Sequence, residues 1–494
     1  MRFSLVTPGI AIRLKRTAIF IHRWMGVTFC VLFAWWFVSG IFMMYWDYPE
    51  VSPGDRLARA PVLDASRIRL TPSEAFARLD TREPVLAAQL ASLDGRPVFR
   101  FTLPGGDERL VFADDGSAPD EFSPAFLLRS AAAWTGRTAA EAHFDGVLTR
   151  ADQWTVSGEF VPLRPLWKYS WPDGEEVYVS AVTGRVEQYT TRASRLGAYF
   201  GAIPHWLYFT PLRQNGRLWS RIVIGLSGAA TLTALFGLLA SIWMYAPNRR
   251  VPYAGTKRLH VILGLFFGII ACTWSFSGML SMDPFPIRSA GPGSGARIER
   301  ALRGRLPSLD SFPAVRQALA ASSLRVKDLE FRSFAGRPVY LAVDSPLRTQ
   351  VIPSVGGPVA TFDVHRIQQL IAEAVQPVPV AEFRWLTEYD AYYLDRHRGQ
   401  PLPVLLVRLN DAEDSRYYVD PRTAEIVGGY SSAAWVTRWL YHGLHSLNFP
   451  WLYEHRPAWD LVVLALLAGG SALSITSILI AARLLRRARR SPRA

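Results

Sequence analysis

The sequence predicts an integral membrane α-helical protein, with four transmembrane helices carrying mixed α+β lobes outside the bilayer. Three observations carry this expectation. Four uncharged runs, Trp24–Trp46, Ile222–Pro247, Leu259–Met282 and Leu461–Ala482, each reach the roughly 20 residues that cross a bilayer. Half of the 494 residues are hydrophobic and only 19% are charged, against about 25% in a soluble domain. Fifteen of the 55 Lys and Arg gather in three acid-free clusters beside those runs, as cytoplasmic loops do.

The clusters set the topology. Arg2, Arg13, Lys15, Arg16 and Arg23 precede or open the first helix. Arg249, Arg250, Lys257 and Arg258 join the second to the third, and Arg483, Arg486, Arg487, Arg489, Arg490 and Arg493 follow the fourth. The other 40 bases face 41 acids, so the net +14 is topological and no nucleic-acid partner is expected. The expected segments are a cytoplasmic start (1–16), a helix (17–46), an exported region (47–200), an outer segment and second helix (201–247), and a cytoplasmic linker (248–258). A third helix (259–282), a second exported region (283–438), an outer segment and fourth helix (439–482) and a basic tail (483–494) complete the chain. The first run is too long for a signal peptide, carries Trp35 and Trp36, and no small-residue cleavage pattern follows it. Cys30 and Cys272 lie within helices and read as core residues, so the exported regions hold no disulfide.

The two halves match in order, at offsets of 238 to 241. His22, Gly26, Ser39 and Gly40 correspond to His260, Gly264, Ser277 and Gly278. Gly95-Arg96-Pro97-Val98 matches Gly336-Arg337-Pro338-Val339, and Tyr178-Val179 matches Tyr418-Val419. His205, Leu207, Phe209 and Trp219 match His445, Leu447, Phe449 and Trp459. The series implies an internal parallel duplication, with a pseudo-two-fold axis along the membrane normal.

Each exported region reads as two small lobes of helix on antiparallel sheet. Thr71-Pro72-Ser73-Glu74 is a capping box with Pro at the first helical position, which opens a helix. Ser123-Pro124 and Phe362–Ala374 offer others. Pro97–Leu103 and Glu176–Val182 alternate as strands do, and Pro172-Asp173-Gly174 is a turn. Gly291–Gly295 reads as a flexible linker rather than a phosphate loop, because no strand-to-helix context surrounds it.

The Ile21–Gly26 stretch (IHRWMG), the Ser-Gly pair near the end of the first helix, and the hairpins YVSAVTGRV (178–186) and YYVDPRTAEIV (417–427) resemble the PepSY-associated transmembrane family over almost the whole chain. The resemblance implies periplasmic PepSY-like lobes, haem b, and an activity like that of bacterial inner-membrane ferric-siderophore reductases. Relatives with a fused flavin domain differ, since the cytoplasmic pieces here are too short to fold one.

Four of the nine histidines form two repeat-related pairs. His22 and His260 sit at the cytoplasmic ends of the first and third helices, and His205 and His445 lie just outside the second and fourth. Related helices that each offer one imidazole make a bis-histidine site, the arrangement that ligates a haem iron from both faces. Gly26 and Gly264 stand one turn from their histidines, and Gly40 and Gly278 five turns, on the same face; they leave room for a porphyrin or for close helix packing. His442, one turn before His445, is a rival ligand without a repeat partner, and His143, His365, His397 and His455 read as surface residues. Trp36 and Trp274 fall between the two levels and read first as packing, second as a bridge for electrons. No Cys-x-x-Cys-His occurs, so two non-covalent haems are expected.

The leading expectation is thus a haem-dependent, membrane-embedded oxidoreductase that takes electrons from a separate flavoprotein or quinol and passes them to a periplasmic acceptor, ferric siderophore first. The alternative is a haem-free PepSY protein that binds or regulates an envelope peptidase or another partner. The spans hold no Asp, Glu, Lys or Arg to couple ions, which argues against a transporter. Catalytic residues are not identifiable from the sequence.

Overall fold

The computed structural model describes residues 8–245, 251–284, 293–395 and 399–490. Arg2, Arg249, Arg250, Gly291, His397 and Arg493 lie outside them. The chain divides into two units, one of Met1–Pro49, Ala193–Ile287 and Trp435–Ala494, the other of Glu50–Arg192 and Arg288–Ala434.

The first unit is helical. Its long helices, Pro8–Met43, Gly216–Tyr245, Gly255–Leu280 and Ala458–Arg490, are each long and apolar enough to cross a membrane, the makeup of a multi-pass membrane protein. The first starts at Pro8, before the expected 17, and the last runs to Arg490, past the expected 482, because Arg and Lys are good helix formers and flank the apolar run without ending it. Much apolar surface faces outward, Phe266 at 71% exposure among it, where lipid stands in for a protein core. Inside, Phe37, Ala234, Ala271 and Leu467 form the centre of the core. Small residues bring the helices together: Gly470 lies flush against the Phe37 ring, and Gly469 against Phe267.

The second unit holds the sheets. Its strands are β1 (Ala87–Leu93), β2 (Arg96–Thr102), β3 (Glu108–Phe112), β4 (His143–Leu148), β5 (Leu166–Ser170), β6 (Glu176–Ser180) and β7 (Val186–Thr190). The later set is β8 (Asp328–Phe334), β9 (Arg337–Ser345), β10 (Arg348–Pro353), β11 (Val380–Leu386), β12 (Val404–Leu409), β13 (Arg416–Asp420) and β14 (Glu425–Tyr430). β4–β7 and β11–β14 form separate four-stranded meanders. The other six do not form separate lobes as expected. They make one sheet in the order β10-β9-β8-β1-β2-β3, joined where β1 pairs antiparallel with β8 at Leu90–Leu329 and Ala88–Phe331. Each three-stranded meander would otherwise leave an apolar edge of unpaired backbone groups, and joining removes both edges.

Alternation along the strands explains the layers. In β9, Tyr340 and Ala342 enter the core beneath the helices Pro72–Ala77 and Val315–Ala321, whereas Val339, Leu341 and Val343 enter a second core with the helix Val364–Val375. Both faces are buried, so the strand reads as a continuous apolar run. The helix starts follow their caps: Thr71 and Glu74 close a capping box, and Ser123 accepts from Phe126 N–H at the head of Pro124–Thr135. Gly174, at φ +89°, completes the expected turn. The Gly291–Gly295 expectation needs correction: a helix already runs from Ser294 to Arg303, and Gly295 N–H donates to Tyr417 Oη at 2.9 Å.

The β1–β8 seam carries a buried polar cluster. Gln89 Nε2 donates to Asp328 Oδ2 at 3.0 Å, while Asp328 Oδ1 and Arg100 Nε are buried with no hydrogen-bond partner among the described residues. Burial, with help from the Glu330 carboxylate, pushes Asp328 up to about 7, and burial brings Arg100 down to about 10. An unfolded aspartate titrates near pH 4, so the folded chain holds a proton that the unfolded chain has lost between about pH 4 and pH 7. Stability therefore falls as pH rises through that window. Asp328→Asn is expected to flatten this slope and to raise stability at about pH 8 by about 1–3 kcal/mol, read as the thermal midpoint across a pH series. An unchanged slope in the variant refutes the assignment.

Candidate functional site

The helical unit brings the sequence-matched histidines together at two levels. His22, on Pro8–Met43, and His260, on Gly255–Leu280, have ring centroids 6.1 Å apart with ring planes at 26°. His205, on the short helix Ala202–Trp206, and His445, on Leu444–Ser446, have centroids 6.0 Å apart with planes at 72°. Two metal–nitrogen bonds of about 2 Å, plus about 1.2 Å from each nitrogen to its ring centre, put two imidazoles on one ion at roughly 6 Å between centroids.

Hydrogen bonds select the tautomer of all four rings. His22 Nδ1 lies 3.0 Å from the Thr233 carbonyl, which can only accept, so Nδ1 carries the proton. His260 Nδ1 lies 3.0 Å from Thr476 Oγ1 and 3.4 Å from Ser477 Oγ; both hydroxyls donate to the Leu473 carbonyl, leaving their oxygens to accept from the ring. Ser39 Oγ and Ser277 Oγ stand 3.0 Å from Nδ1 of His205 and His445, and each donates to the carbonyl three residues back, Trp36 or Trp274, at 3.1 Å. Each Nε2 thus keeps a free lone pair, with no hydrogen-bond partner among the described residues. This is how outer partners orient metal-ligating histidines.

The surroundings leave space at the His22–His260 level. A partly open pocket is lined by both rings and by Gly26, Cys30, Gly237, Gly264 and Gly268 from three helices. A Cβ on Gly26 would meet nothing within 4 Å, whereas one on Gly237 would lie 2.7 Å from His22 Nδ1. Gly264 opens on the pocket but also packs, since a Cβ there would lie 3.2 Å from Ser241 Oγ. At the other level Gly278 and Gly40 sit behind the rings: their Cβ positions would be 3.7 Å from His445 Cε1 and 3.8 Å from His205 Cε1. Gly40 is also a packing glycine, since a Cβ there would lie 2.9 Å from Leu467 Cδ2. Two residues beyond each of these histidines, Leu207 and Leu447 take left-handed conformations at φ +55° and +48°. Non-glycine residues rarely do so, and such strain persists where the surroundings over-determine a site.

The remaining histidines stand apart. His442, in the π-helical stretch Val436–Gly443, packs against the Tyr441 ring at 4.7 Å. His143 pairs with Asp145 on the surface, and His365 and His455 are exposed. Among the described residues no three His, Cys, Asp or Glu side chains gather to hold a metal ion. Trp274 and Trp36, matched in sequence, are not matched in contact. Trp274 Nε1 donates to the Leu444 carbonyl at 2.9 Å, while Trp36 Nε1 is buried with no hydrogen-bond partner among the described residues. Sequence reasoning missed Thr233, Gly237, Thr476 and Ser477. Their signal was available in part, because a hydroxyl inside an apolar span requires an acceptor or donor nearby.

No protein-family model matches the chain, and no curated protein is significantly similar to it.

Proposed function

We propose that the protein is a membrane oxidoreductase holding two b-type haems, one between His22 and His260 and one between His205 and His445. The observation that carries this reading is the paired geometry: two imidazoles per level, about 6 Å apart, each with Nε2 free. Two protein ligands are too few for a bare zinc-like ion, which takes three or four, but suit a macrocycle that brings its own equatorial donors. Gly26 opens onto the pocket, and the free space beside it suits the edge of a flat ring next to His22. A haem held at each level supplies a one-electron ferric/ferrous couple.

The chain's residues do the rest. Thr233, Thr476 and Ser477 orient the first pair, Ser39 and Ser277 the second, and the apolar helices keep water from the ligands. The matched halves, two three-stranded and two four-stranded meanders among them, support an internal duplication with PepSY-like lobes. The basic clusters support a topology with both termini in the cytoplasm of a bacterium, the His22–His260 level inside and the His205–His445 level outside. Electrons then enter from a flavoprotein or quinol and leave to a periplasmic ferric siderophore. Reduction loosens that complex because hard oxygen donors hold ferrous iron more weakly.

The purified protein is expected to show a strong Soret band that shifts on dithionite reduction, with two haems per chain by pyridine haemochrome. A colourless protein that takes up no haem on reconstitution refutes the reading.

A further inference from the structure

The two histidine pairs differ in one respect that bears directly on iron chemistry: their ring planes lie at 26° in one and 72° in the other. An imidazole donates π density to iron through the orbital perpendicular to its ring. Two near-parallel rings act on the same iron d orbital, split it from its partner and stabilise the ferric ion. Two crossed rings act on different d orbitals, leave them nearly degenerate and stabilise the ferric ion less. Outer hydrogen bonds that hold the rings are therefore levers on the potential.

The crossing at the second pair has identifiable supports. Ser39 and Ser277 are fully buried, and each spends its one proton on a carbonyl of its own helix, so each oxygen accepts the Nδ1–H of its histidine in a fixed direction. Gly40 and Gly278, next in sequence, bring helix backbone against the same rings. At the first pair the acceptors are unlike: a carbonyl of the second long helix for His22, two hydroxyls of the fourth for His260.

We propose that Ser39 and Ser277 are positioning residues that hold His205 and His445 crossed, and that the crossed site is the higher-potential one, so that electrons run from the His22–His260 level to the His205–His445 level. The proposal rests on the haem reading above. Per transfer, one electron leaves the ferrous iron of the first site, which becomes ferric, and reduces the ferric iron of the second; no proton or further reactant is consumed. The donor is a flavin or quinol, and the final acceptor is a ferric chelate.

The test is low-temperature electron paramagnetic resonance on the oxidised full-length protein in detergent, combined with a redox titration. Two low-spin ferric signals are expected: a rhombic one, and one with a single large g value typical of crossed planes. The large-g signal should survive His22→Ala and should titrate at the higher potential. Ser39→Ala and Ser277→Ala should each shift it toward the rhombic form at unchanged haem content, with the first signal as internal reference. Ser275→Ala, which removes a buried hydroxyl that donates to the Ala271 carbonyl on the same helix as Ser277, should leave both signals alone. Two rhombic signals, a large-g signal at the lower potential, or serine variants with an unaltered large-g signal each overturn the proposal while the haem reading stands. A haem-free protein overturns both.

Discussion

Alanine in place of either histidine of a pair is expected to cost the protein one haem of its two, and only one. His22→Ala and His260→Ala should yield the same single-haem protein, and His205→Ala and His445→Ala the other. The reason is geometric: the two imidazoles of each pair stand about 6 Å apart, so removing one would leave the group a single protein ligand. His442→Ala should keep both haems, since His442 packs against Tyr441. The measurement is haem per chain with the spectrum of what remains. Should His22→Ala and His205→Ala deplete the same haem, the pairing is wrong. Should His442→Ala empty the second site while His445→Ala does not, the rival ligand holds it.

The second large effect is expected from a residue that touches no metal. Gly237→Ala places a methyl 2.7 Å from His22 Nδ1, where the ring is bonded to Thr233, and the imidazole must move. Overpacking of this kind costs about 1–3 kcal/mol, and displacing the support of a metal ligand lowers affinity about 10–100-fold. The His22–His260 haem should therefore be lost or weakly held, the other retained, and the thermal midpoint lowered. Gly225→Ala on the same helix is the control, because a Cβ there meets nothing within 4 Å. It should leave haem content and stability at wild-type values. Loss of the other haem instead would show that Gly237 does not act through His22.

Local signals in this chain were strong where the physics is local. An apolar run of bilayer length has few alternatives to a helix, and the four long helices stand over those runs. A capping box satisfies backbone donors within four residues, so Thr71 to Glu74 announced a helix start without help from the rest of the fold. The pairing of His22 with His260 and of His205 with His445 was legible because the two halves of the sequence match in order at nearly equal offsets, and the rings of each pair do stand together.

The sequence alone thus determined the four apolar helices, several helix starts and hairpins, and which histidines pair. Only the tertiary structure decided that β1 and β8 join two meanders into one six-stranded sheet, since which strand edge finds which depends on long-range pairing that no local pattern encodes. It alone decided that Trp274 is tied to Leu444 while Trp36 is not. It also decided that the second and fourth long helices supply Thr233, Thr476 and Ser477 to the rings, and that one pair of planes crosses while the other runs nearly parallel. Period and spacing place a residue on a helix face. The rotation of an imidazole about its own bonds is set by whichever oxygen another helix brings within 3 Å of Nδ1, and that contact exists only once the helices have packed.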